Sequence, residues 1–556
     1  MIKSLKTILV ALLFSLVIWP GKGQVRKNIP PAKPKLVLGI VIDPLSIDQL
    51  NRYWDILGED GFKRFVSEGT FYRNASYASF FTETVTGLAT LSTGAYPVTH
   101  GIVGNSWYEP LSDRKVYCTR DDRVHAVGGT FENGLHSPVN LLASTFGDEL
   151  RLATRNRSKV FGISLYAENA VLIAGHMANA AWWYDDNTGS WMSSSYYMDS
   201  LPAWVNGFND KNLVSVYLRK IWEPLFPLEK YVASNGDTSQ FETGIKNRSV
   251  FPYDLKKLSS LGKKKEDLSL IRYTPFGNTL TKDFAINLIL NENLGKDDDC
   301  DFLGVVFSAN QTIDHAFGTY SVEMEDAVLR LDQDLAHLLN FINQEIGKEN
   351  VIIYLTASRG VPPATASLTN REMPAGRFRP NQSVALLRSY LNAVLGEGDW
   401  VKGYYNHQVY LNRTLIENAG LSLNAIQDRV AGFMVQFSGV GHVIAAHELS
   451  ASGAANDLFK RLQMSFYPKR SGDVVIVLNP GWVEQVGDEP ATGAGFWYDT
   501  HVPLFLYGWK IGRNSWYRAV DLSDISPTLS FFLHIPVPNG SDGNLFLELL
   551  DKNESW

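Results

Sequence analysis

The chain has 556 residues, 45% of them hydrophobic and 20% charged, with a formal net charge of −7. An acidic balance without a basic arm or patch excludes an ordinary nucleic-acid binder, whose affinity depends on neutralising phosphates. The length admits one large α/β domain carrying insertions, and 24 Tyr, 14 Trp and 29 Phe supply ample core material.

The first 23 residues read as a signal peptide. Lys3 and Lys6 give a positive start, residues 7–19 form a short apolar run, and Pro20 breaks it before Gly21 and Gly23. Cleavage is expected ahead of Gln24. The alternative, an uncleaved anchor, needs a longer run than this one. Removing residues 1–23 deletes three lysines and no acids, taking the formal charge from −7 to −10. No later segment is long and apolar enough to span a bilayer, so a periplasmic or secreted protein without a membrane span is expected. Cys118 and Cys300 are the only cysteines. Export would permit them to pair, and two free thiols is the equal alternative.

Residues 24–34 hold three prolines and read as a linker. The run KLVLGIVID at 35–43 is continuously apolar up to Asp43, the pattern of a strand buried on both faces. Ligands collect at the carboxyl ends of such strands, so Asp43 is a functional candidate; helix capping is the ordinary alternative. Further strands are expected at 159–165, 301–307, 350–356 and 502–507. Val322–Glu345 carries a helical stripe of Met324, Ala327, Leu329, Leu331, Leu335, Leu338 and Leu339. The alternation predicts an α/β fold over residues 35–556, with a mostly parallel central sheet and helices on both faces. Two stretches, at about 176–275 and 360–480, break the pattern and are expected to be inserted cap regions forming a second lobe over the strand ends.

Asp43, the segment TETVTGLATLSTG with Thr84, HGIVGN ending in Asn105, and the late block YDTHVPLFLYG with His501 occur in that order. This arrangement resembles the alkaline phosphatase superfamily, in its secreted bacterial branch with a threonine nucleophile, near the type I phosphodiesterase/nucleotide pyrophosphatase group. The resemblance implies Thr84 as nucleophile on a helix N-terminus and Asn105 as a contact to a phosphoryl oxygen. It also implies two zinc ions with six side-chain ligands. Three ligand positions are retained, as Asp43, His315 and His501. Gln311 stands where an Asp is expected and is a weak donor. Ser358 and Arg359 replace an Asp-His pair, and arginine offers no usable lone pair. Asp314 could substitute as a ligand, but a solvated acid pointing away from His315 is the expectation. Tyr166 and Glu168 stand where the monoesterase branch holds Lys and Arg, and Glu168 would repel a phosphate dianion.

The losses lead to the expectation of a pseudoenzyme that binds an unknown ligand or protein partner. They leave room for one zinc but not for the two-zinc site. A guanidinium at Arg359 could take the place of the missing ion and pair with Asp43. The alternative is a one-metal phosphoric ester hydrolase, acting on diesters through Thr84 with Arg359 as a charge clamp. A third reading, glycan binding by Trp182, Trp183 and Trp191, needs those aromatics exposed, and core packing explains them equally well.

Overall fold

The computed structural model describes residues 32–549, apart from 111, 239–241, 262–265, 364, 452, 454–455, 487–488 and 491–493. The predicted signal peptide and most of the linker lie outside the described residues.

Eight strands form the body of an 11-stranded sheet. They are β1 (Leu36–Ile42), β2 (Thr70–Ser76), β3 (Val160–Ser164), β4 (Ala180–Asp185), β5 (Ser190–Ser194), β6 (Asp301–Phe307), β7 (Val351–Ala357) and β8 (His501–Gly508). Their order across the sheet is β2-β8-β7-β1-β6-β3-β4-β5, flanked by short strands. β7, β1, β6, β3 and β4 run parallel, while β8 is antiparallel to both β7 and β2. Every residue of β1, β6 and β7 is buried, as expected of strands covered on both faces. The covering helices include α1 (Thr84–Thr93), α2 (Ala167–Ala174), α3 (Ala309–Phe317) and α4 (Val322–Glu345). The Ser321 hydroxyl caps α4 by accepting the Met324 amide at 3.1 Å.

Residues 176–275 do not form a lobe. β4 and β5 extend the central sheet, and Val205, Phe208, Trp222 and Tyr253 join its core. Asp326, buried on α4, anchors this region by accepting from Trp222 Nε1 and the Tyr231 hydroxyl, each at 2.7 Å. Polar turns such as DDNTG interrupt the apolar pattern between strands that are nevertheless paired. Trp182, Trp183 and Trp191 are each 1% exposed, and Trp191 stacks on Phe284 at 4.3 Å. They are core, so the platform needed for sugar stacking is missing at these three residues.

Residues 360–480 do build a lobe. Val401–Tyr405, Gln408–Leu411, Val474–Leu478 and Val440–Ala445 form a separate antiparallel sheet with its own apolar core. It docks on the strand Ser106–Glu109, where Asn406 Nδ2 donates to the Ser106 carbonyl at 2.9 Å. Cys118 and Cys300 are both buried and unpaired.

Candidate functional site

Strand register creates the centre of the site. Ile42 is aligned with Phe307 on β6 and with Ala357 on β7. The next residues, Asp43 and Ser358, therefore emerge side by side at the carboxyl ends of neighbouring strands. Asp43 N–H donates to the Phe307 carbonyl at 2.9 Å and Ser358 N–H to the Ile42 carbonyl at 3.2 Å, carrying the ladder one step further. α1 crosses above this point with Thr84 as its first residue. Two hydroxyls converge on one carboxylate oxygen: Thr84 Oγ1 donates to Asp43 Oδ1 at 2.8 Å, and Ser358 Oγ donates to the same atom at 2.7 Å. Asp43 Oδ2 has no hydrogen-bond partner among the described residues. Arg359 Nε lies 4.0 Å from Asp43 Oδ1.

Thr84 opens into a cleft of about 1100 Å³, which Asn105, Tyr166, Glu168, Gln311, Asp314, His315 and Arg359 also line. Asn105 is fixed through its backbone N–H, which donates to Glu83 Oε2 at 2.7 Å. Tyr166 places its hydroxyl 2.7 Å from Thr312 Oγ1, and Arg272 lies over its ring. That guanidinium is itself held by Asp186, with Nε donating at 2.7 Å.

The site is rich in buried and half-buried acids; Arg359, Arg371 and Arg377 line the same cleft. Burial pushes the Asp43 carboxyl above the ordinary range, opposed by the Arg359 charge and by the hydrogen bonds from Ser358 and Thr84. Glu83 rises to about 7, chiefly through burial, with the Asn105 amide and Arg359 opposing. Burial likewise raises Glu168, Asp314 and Asp499. Arg359 acts against the rise at Asp43, Glu83, Asp314 and Asp499 alike.

His501, like Asp43, is not among the residues lining the cleft. It opens β8, where its Nε2–H donates to the Arg73 carbonyl at 2.9 Å and its ring stacks on Trp497 at 3.9 Å. Antiparallel pairing with Ser76 of β2 directs it there. Asp314 is not a solvated acid pointing away. It sits on α3, half-buried, accepts from the Thr319 hydroxyl at 2.9 Å and lines the cleft with His315.

The zinc ligand set implied by the resemblance does not fit these residues. On the nucleophile side, Ser358 donates its proton to Asp43 and Arg359 offers only N–H donors. On the other side, His315 and Gln311 remain in the cleft without His501. Among the described residues, the one group of three His, Cys, Asp or Glu ligand atoms within 4.8 Å of each other is Asp428, His447 and Glu448, on the inserted lobe.

Sequence reasoning missed Glu83, Asn169 and Asp499. Asn169, buried on α2, helps hold Asp43 in its charged form. Asp499 is 2% exposed, and neither carboxylate oxygen has a partner among the described residues. Its carbonyl accepts the Gly360 amide at 2.7 Å, tying the loop after Arg359 to the start of β8. The available signal was the YDTHVPL block itself, in which the acid rather than the histidine lies within the electrostatic reach of Arg359.

Comparison with known proteins extends the local picture. The profile of the type I phosphodiesterase / nucleotide pyrophosphatase family matches residues 37–499. Alkaline phosphatase PafA of Elizabethkingia meningoseptica is 36% identical over 97% of this chain and 99% of its own. Alkaline phosphatase PhoV of Synechococcus elongatus is 36% identical over 95% of this chain and 96% of its own. A Myroides odoratus protein named a calcium-transporting ATPase is 38% identical over 94% and 95%. No helix among the described residues is long and apolar enough to cross a membrane. The crystal structure of wild-type PafA superposes with a TM-score of 0.89 at 35% identity, covering 94% of this chain and 99% of that one. The expectation of a pseudoenzyme is corrected by these relatives, since proteins matched nearly end to end carry the name of phosphatases. The chain belongs to the type I phosphodiesterase / nucleotide pyrophosphatase family, within the alkaline phosphatase superfamily.

Proposed function

We propose that the chain is an exported phosphoric ester hydrolase that uses Thr84 as its nucleophile and prefers diesters. The observation that carries this is the placement of Thr84 and Arg359 on the wall of one cleft. A hydroxyl at the N-terminus of a ten-residue helix stands where backbone amides favour a phosphoryl oxygen. A guanidinium beside it supplies two-pronged hydrogen bonding to the same group. Asn105 provides a further polar contact at the cleft wall.

The preference for diesters follows from charge. A monoester is a dianion near neutral pH and a diester a monoanion, so Glu168 and Asp314 oppose the former more strongly, while Arg371 and Arg377, elsewhere on the cleft wall, act in the other direction. Tyr166 is neutral, and the cation nearest to it, Arg272, is already paired with Asp186. His315 and Gln311 are the two cleft residues left from the set that would hold the expected single zinc.

The test is hydrolysis of a bis-aryl phosphate against the matching aryl phosphate monoester by the purified mature protein. Diester turnover lost in Thr84→Ala is expected. Turnover of neither ester, or full activity in Thr84→Ala, would overturn the reading.

A further inference from the structure

The disagreement between the family's metal chemistry and this donor set points to a different way of activating the nucleophile. We propose that Asp43 is the general base for Thr84, and that Arg359 supplies the positive charge on the phosphoryl side, so that turnover needs no metal ion. This rests on the hydrolase reading above.

Three observations carry it. First, the nucleophile and the base are already in contact, with Thr84 Oγ1 donating to Asp43 Oδ1 at 2.8 Å. That is the separation at which a proton passes without rearrangement. Second, Asp43 is fully buried and its Oδ2 accepts no direct hydrogen bond among the described residues, with the Asn169 amide also acting on the carboxylate. Third, Ser358 and Arg359, at the end of β7, act on the same carboxylate. The Ser358 hydroxyl fixes its orientation at 2.7 Å, and Arg359 Nε stands 4.0 Å away with its side chain 13% exposed at the cleft wall. A cation in that position offsets the charge of Asp43 in the resting site and faces incoming phosphate.

The chemistry balances without a co-reactant. In the first step a Thr84 Oγ1 lone pair forms the new O–P bond while its proton moves to Asp43 Oδ1. The P–O bond to the departing alcohol breaks, and the oxygen that leaves takes the electron pair. In the second step water attacks the phosphothreonine. The P–Oγ1 bond breaks, Asp43 returns its proton to Thr84, and the proton lost by water goes to solvent. The alternative is a purely structural contact in which Asp43 only fills a hydrogen-bonding position below α1.

The experiment uses the full mature chain and a bis-aryl phosphate, assayed before and after dialysis against a strong chelator. Chelation is expected to leave kcat unchanged. Asp43→Asn, which keeps the shape and an acceptor oxygen, is expected to lower kcat by about 10²–10⁴-fold. Should that variant fail to fold, Asp43→Glu serves instead. It keeps a carboxylate but moves it by one methylene from Thr84, so kcat should fall by at least about tenfold while remaining chelator-resistant; an unchanged kcat counts against the base. Turnover abolished by chelation, or persisting in a folded Asp43→Asn, overturns this assignment alone. No turnover by the wild type, with or without added zinc, overturns it together with the hydrolase reading.

Discussion

Gly87 and Ser358 meet where α1 crosses the end of β7. A methyl group at position 87 would fall 2.0 Å from the Ser358 carbonyl oxygen, which is backbone and has nowhere to go. The absence of a side chain at Gly87 is what lets the first turn of α1 settle close enough for Thr84 to reach Asp43. Gly87→Ala should therefore act on stability and activity together. Overpacking of this kind costs about 1–3 kcal/mol, to be read as a lower urea midpoint at unchanged slope. An unshifted midpoint would mean the helix can retreat freely.

Arg359 is the cation that acts on Asp43, Glu83, Asp314 and Asp499 at once. Arg359→Ala removes it and leaves those acids to ionise without compensation. Its separation from Asp43 is long for an ion pair, so the loss is placed at about 1–3 kcal/mol at neutral pH, below the full cost of breaking a tight buried pair. The loss should shrink in acid, where the carboxylates take up protons. Urea unfolding at pH 7.5 and pH 5 measures both, and equal losses at the two pH values would contradict the electrostatic origin.

Glu83 offers a cleaner pH signature. Its folded value is raised from 4.5 to about 7, first by burial. The stabilising contribution of the protonated form is thus fully present below 4.5 and is lost as pH rises through about 7. Across that window the wild type should lose on the order of 3 kcal/mol from this group. Glu83→Gln keeps an acceptor for the Asn105 amide and should flatten the profile between pH 4.5 and 7. A profile as steep as that of the wild type would place the titration elsewhere.

Glu168 tests the substrate preference. Glu168→Gln removes a half-buried negative charge from the cleft wall. Relative kcat/KM for an aryl monoester over the diester should rise on the order of tenfold, the ratio that about 1.4 kcal/mol supplies. Equal change on both substrates would show that Glu168 does not sense the second phosphate charge.

Much of the fold could be read directly from the chain. Continuous apolar runs marked β1, β6 and β7, and the stripe in Val322–Glu345 marked α4 with the same ends, because burial on two faces and helical periodicity are local patterns. The resemblance carried by the motif blocks implied one site for Thr84, Asn105 and Arg359, and all three line the cleft. The limits of the lobe were not legible. Pairing of β4 with β3 depends on partners distant in sequence, and polar turns masked it.

The sequence by itself determined the family, the nucleophile segment and the replacement of an Asp-His pair by Ser358-Arg359, since these are matters of residue identity and order. Only the tertiary structure decided which side chains meet. Parallel register set Asp43 beside Ser358, and the antiparallel course of β8 kept His501 from the cleft wall. Burial then raised a ring of carboxyls around Arg359. The physical reason is that hydrogen bonding and desolvation act over a few ångströms in space, and chain order does not encode those distances.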